Sequence, residues 1–66
     1  MTNPVYLVNV LADCAHIDTS VARREIVAGK VKVNNAVVDD PAATLVDEPG
    51  IMSAIEYGAH VYPYYP

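Results

Sequence analysis

The chain has 66 residues, 53% of them hydrophobic, a formal charge of −4 with both histidines neutral, and one cysteine. That length allows a single domain with one small core, and a lone Cys14 excludes an internal disulfide, while no Cys/His cluster offers the four ligands of a structural zinc. No apolar run approaches the roughly 20 residues that span a bilayer, and the N-terminus lacks the basic segment of a secretory signal, so cytoplasmic synthesis is expected.

Asn3-Pro4 reads as a helix start, since Asn caps free amides and Pro suits the first helical position. Leu7, Val10, Leu11 and Cys14 then recur at i, i+3, i+4 and i+7, which predicts a first helix over residues 4–15 with those side chains on one face. Asp18, Thr19 and Ser20 form a cluster of capping side chains ahead of residues 21–28, and Gly29 follows where a left-handed helix end favours a residue without a Cβ. In that second helix Ala22 and Ile26 lie four apart and face the core, leaving Arg23 and Arg24 toward its flank and solvent.

After Gly29 the period changes to 2. Val31 and Val33 alternate with Lys30 and Lys32, Asn34-Asn35 supplies a two-residue hairpin turn that tolerates positive φ, and Asp39-Asp40-Pro41 ends the second strand. Further on, Thr44-Leu45-Val46 suits a short strand and Asp47-Glu48-Pro49-Gly50 a turn, residues 51–57 suit either a helical turn or a strand, and His60-Val61-Tyr62 reads as the last strand. The prolines around Tyr64-Tyr65 predict that regular structure stops there, which divides the chain into a domain of residues 1–62 and a C-terminal tail of residues 63–66.

All four basic residues, Arg23, Arg24, Lys30 and Lys32, fall within residues 23–32 together with a single acid, Glu25. The stretch therefore carries a local charge of +3, against −7 for the rest of the chain. An acidic body with one cationic spot has two readings: an RNA footprint, or a helix flank whose charges pair with Glu25, Asp39 or Asp40. Arg23 and Arg24 would also suit an acidic protein surface, because guanidinium forks fit carboxylates as well as phosphates.

The run from Asp18 through Ala22-Arg23-Arg24, Gly29, Val31-Lys32-Val33-Asn34-Asn35 and on to Asp40-Pro41 resembles the S4 domain, a small RNA-binding module. The family pattern is a capped helix bearing Ala-Arg-Arg, a glycine, Val-x-Val-Asn-Gly and then Asp-Pro, and residues 18–41 follow it closely in order and spacing. The resemblance implies an α+β fold in which two helices pack on a short antiparallel sheet, with RNA contacts at Arg23, Arg24, Lys30 and Lys32. The chain departs from the pattern at Thr19, which stands where a basic residue is usual, at Asn35, which replaces the hairpin glycine, and in its acidic total charge.

The remaining candidates carry less chemistry. Tyr62, Tyr64 and Tyr65 suit an aromatic anchor on a protein partner or a cover over the domain's own sheet, ahead of stacking on nucleotide bases, since no basic residue lies among them to hold a backbone. His16 and His60 stand apart from other metal ligands, and Ser20, Ser53 and Cys14 match no catalytic signature, so neither an enzyme nor a cofactor nor a small-molecule substrate is expected. Asp39-Asp40 and Asp47-Glu48 are accounted for by turns. Charge and composition together favour a non-enzymatic S4-like interaction module acting as a small accessory or structural subunit of a larger assembly, with a protein partner or further copies of itself. A capsid-associated component of a phage virion is one such setting. The alternative is an S4 domain that binds structured RNA through the four basic residues; no membrane partner is expected on either reading.

Overall fold

Helical spacing before Gly29 and period-2 spacing after it sort the chain into two helices followed by strands. The computed structural model describes residues 4–66. In chain order these form β1 (Val5–Tyr6), α1 (Leu7–Ala15), α2 (Thr19–Val27), β2 (Val31–Val33), β3 (Ala36–Val37), β4 (Thr44–Leu45), β5 (Ser53–Tyr57) and β6 (His60–Tyr64). The main sheet is antiparallel with strand order β3-β2-β5-β6, and β1 pairs with β4 as a separate two-stranded ribbon. The expected α+β fold is therefore present, and among the described residues no helix is long and apolar enough to cross a membrane.

The first helix starts later than its sequence pattern predicts. Val5 and Tyr6 are extended and pair with Leu45 and Thr44, and the N–H of Leu7 donates to the carbonyl of Ala43 at 3.0 Å. A returning strand thus satisfies the first free amide of α1, a task local sequence assigned to an Asn3 cap, which lies outside the described residues. The buried stripe is Leu7, Val8, Leu11 and Ala12, with Val10 and Cys14 half-buried at its margin. His16 closes the helix in the left-handed region at φ 56°, where the N–H of Ile17 reaches the carbonyl of Ala12 at 3.1 Å.

Helix α2 begins two residues before its predicted span, taking in Thr19 and Ser20, and ends at Val27 with Ala28 as its C-cap. Asp18 occupies the N-cap position with extended backbone, and its carbonyl accepts from Ala22 at 2.9 Å, but its carboxylate makes no cap bond. Ala22 and Ile26 are fully buried. They meet Leu7 and Leu11 of α1, Val31 of β2, Leu45 of β4 and Ile55 of β5 in one core between the helices and the inner face of the sheet.

The Asp40-Pro41 corner is an Asx turn. The Asp40 carboxylate accepts from the N–H of Ala42 at 2.9 Å and its carbonyl from Ala43 at 3.0 Å, which turns the chain back toward α1. The segment left open between helix and strand is resolved as strand β5 from Ser53 onward, because its partners β2 and β6 flank it on both sides.

Regular structure does not stop at Tyr62. Strand β6 runs to Tyr64, with Pro63 opposite Ala54 and Tyr64 opposite Ser53. The reason lies in the direction of the neighbouring peptide groups. Ala54 exchanges bonds with Asn34, donating its N–H to the side-chain oxygen at 3.0 Å and accepting the Asn34 N–H at 2.9 Å, so its polar groups face β2. Pro63, opposite Ala54, then turns its nitrogen to the open side of an edge strand, where a missing N–H removes no ladder bond.

Candidate nucleic-acid interface

Helix α2 ends in a Schellman motif. The N–H of Gly29 donates to the carbonyl of Ile26 at 2.9 Å and that of Lys30 to Glu25 at 3.1 Å, while Gly29 takes φ 76°. In many such ends the residue after the glycine makes an apolar contact with the last helical turn. Here the same two positions hold an ion pair, Lys30 Nζ to Glu25 Oε2 at 3.4 Å.

Two residues later the chain enters the hairpin. Asn34 and Asn35 sit at φ 52° and 69°, the pair of positive values that a tight two-residue turn requires, as their composition predicts. Strand β2 then presents Lys32 on the sheet face away from the helices, opposite Val37 on one side and Glu56 on the other.

Between the helix end and the strands lies an open cleft of about 470 Å³, lined by Glu25, Gly29, Lys30, Lys32, Glu56, Tyr57 and Gly58. The Tyr57 hydroxyl donates to Glu25 Oε1 at 3.2 Å, so one carboxylate joins the phenol to Lys30. The Tyr57 phenol is held above its ordinary value, first by desolvation and then by its bond to Glu25 and the nearby negative charge, with Lys30 acting in the opposite sense.

The structure therefore separates the four basic residues into two groups. Lys30 and Lys32 share the cleft with Glu25 and Glu56, whose formal charges sum to zero with theirs, and of the two lysines only Lys30 makes an ion pair among the described residues. Arg23 and Arg24 are exposed on α2, do not line the cleft, and make no ion pair among the described residues. The positive excess of the corner resides in the two guanidinium groups.

Sequence reasoning missed Glu56 and Tyr57, which long-range pairing of β5 with β2 brings to the cleft. The available signal was alternation within Ser53-Ala54-Ile55-Glu56-Tyr57, which puts Ile55 inward and Glu56 outward. Tyr62 and Tyr64 are half-buried against the core, whereas Tyr65 is 71% exposed. His60 is exposed with its ring 6.0 Å from that of Tyr62, and His16 is exposed at the end of α1.

A helix that ends at a Schellman glycine and turns into a tight hairpin, with arginines on the helix flank, defines a small α+β domain. The S4 domain family matches residues 15–48, just over half of the chain, including α2, the glycine corner, the β2–β3 hairpin and β4. The chain belongs to the S4 domain family. A search of curated proteins gives no match.

Proposed function

We propose that the protein is a non-enzymatic S4 module that binds structured RNA through Arg23 and Arg24, with Lys30 and Lys32 at the margin of the contact. S4 domains commonly bind RNA, and the observation that carries the reading here is the pair of exposed arginines, free of ion pairs among the described residues, on the matched helix. Lys30 is recruitable despite its pairing. Its side chain is 66% exposed, and surface ion pairs contribute only about 0–1 kcal/mol, so a phosphate can replace Glu25 as its partner.

Electrostatics set the expected strength. One cation, Lys30, is ion-paired, and Arg23, Arg24 and Lys32 make no ion pair among the described residues; together they release at most about four counterions, and an acidic body opposes the approach of RNA at low salt, so binding is modest and its salt dependence shallow. Affinity for a structured RNA hairpin, measured across a salt series, tests this. Arg23→Glu with Arg24→Glu is expected to remove binding while leaving the circular dichroism unchanged. Absence of binding by the unmodified protein at low salt overturns the reading.

A second reading, an accessory or structural subunit of a larger protein assembly, is supported by surface composition. Val37, Val46, Ile51, Met52, Val61 and Tyr65 are all exposed, more apolar surface than so small a domain requires.

A further inference from the structure

Residues directly opposite on neighbouring strands point to the same face of a sheet, and successive residues alternate between faces. Val31 and Ile55 are fully buried on the helix side, so Lys32 and Glu56 project from the outer side. Val37 lies opposite Lys32, and Val61 lies opposite Glu56. One straight row therefore crosses all four strands of the outer face in the order Val37, Lys32, Glu56, Val61, with the two valines 56% and 59% exposed.

The order of that row is self-complementary. A two-fold axis parallel to the strands, passing between β2 and β5, reverses it: valine then lies over valine, and each lysine lies over a glutamate. An in-plane axis perpendicular to the strands would instead stack lysine on lysine and glutamate on glutamate. The next row toward the Asn34 turn carries Ala54 and Pro63, which are uncharged and leave room for close approach.

We propose that the outer face of the four-stranded sheet is a homodimer interface, in which Lys32 and Glu56 of one copy pair with Glu56 and Lys32 of another, flanked by Val37 and Val61. The four strands, of three, two, five and five residues for β2, β3, β5 and β6, at ~3.4 Å per residue and about 4.8 Å apart present roughly 250 Å² per copy. That is well below the ~800 Å² per partner of standard stable interfaces, so the dimer is weak and forms at high protein concentration. The pairing engages Lys32, a marginal residue of the proposed RNA contact, and leaves Arg23 and Arg24 free, so the arginine variants separate a failure of RNA binding from a failure of the dimer.

Sedimentation at submillimolar concentration, with circular dichroism to verify folding, tests the interface. The unmodified protein is expected to associate reversibly to a dimer. Lys32→Glu and Glu56→Lys each place like charges against one another across the axis and are expected to be monomeric, whereas an equimolar mixture of the two restores both pairs and should form a heterodimer. Val61→Thr, which keeps the edge-strand shape and the Lys–Glu row, is expected to weaken association several-fold, and it serves if a charge variant fails to fold. Arg23→Glu with Arg24→Glu should leave association unchanged. A strictly monomeric parent protein, single charge variants that dimerise as well as the parent, folded variants that fail to pair on mixing, or indifference to Val61→Thr would each overturn the proposal.

Discussion

The corner joining α2 to the β2–β3 hairpin and the hairpin formed by β5 and β6 lie side by side in one sheet, yet different ranges of interaction hold them. At the corner, bonds close within a few residues: Lys30 to Glu25, Gly29 to Ile26, and Val38 to Val31 at 3.0 Å across a two-residue turn. Strand β5 has a near neighbour in β6 but takes its central place by pairing with β2, Val31 against Tyr57 and Val33 against Ile55. Short-range closure requires little chain ordering before a contact forms, whereas the β2–β5 pairing must overcome the entropy of the intervening loop. The corner should therefore tolerate local damage, and β5 should not.

Ile55→Ala gives the strongest test of that difference. Ile55 is fully buried between the sheet and both helices, so truncation should cost about 2–5 kcal/mol, much or all of the stability of so small a domain. Chemical denaturation would then show little or no folded baseline, and an unchanged midpoint would refute the assignment of β5 as the strand that closes the core.

Gly29→Ala probes the other region with a smaller effect. A Cβ at that position meets only Val37 Cγ1, at 3.9 Å, so there is room for it and the penalty is conformational. The left-handed backbone predicts a loss of about 1–2 kcal/mol with the fold retained. A loss as large as that of Ile55→Ala would show that the corner is no more tolerant than β5.

The mildest change addresses the bond that ties the two regions, Tyr57 to Glu25. Because the folded state raises the Tyr57 pKa, the phenol's proton is held more tightly in the folded than in the unfolded chain. Its stabilising contribution is complete below the ordinary tyrosine value of about 10 and is lost as pH rises through the higher folded value. Ultraviolet titration of the five tyrosines should show one late-ionising group that disappears in Tyr57→Phe, and an unchanged curve would place that group elsewhere.

The same contrast explains what was legible beforehand. Asp18 before α2, Gly29 after it and Asn34-Asn35 in the turn are local signals, and the corner appears where they place it. The start of α1 was misread because Val5 and Tyr6 pair with a strand some forty residues away, a partner no window of helical spacing contains. Pro63 suggested the end of regular structure, and only the outward direction of its nitrogen on an edge strand makes it compatible with β6. The basic cluster was visible as a group of four, but its division into two lysines that line the cleft beside Glu25 and Glu56 and two arginines outside it was not.

By itself the amino-acid order determined the two-helix start, the glycine terminus of α2, the tight hairpin and membership in the S4 family, because each depends on backbone preferences and side-chain spacing within a few residues. Tertiary structure alone decided which strand stands at the centre of the sheet, which cations keep their charge available, and that Val37, Lys32, Glu56 and Val61 form one row. Those outcomes depend on register between segments distant in the chain, and a shift of one residue would exchange the inner and outer faces of β5.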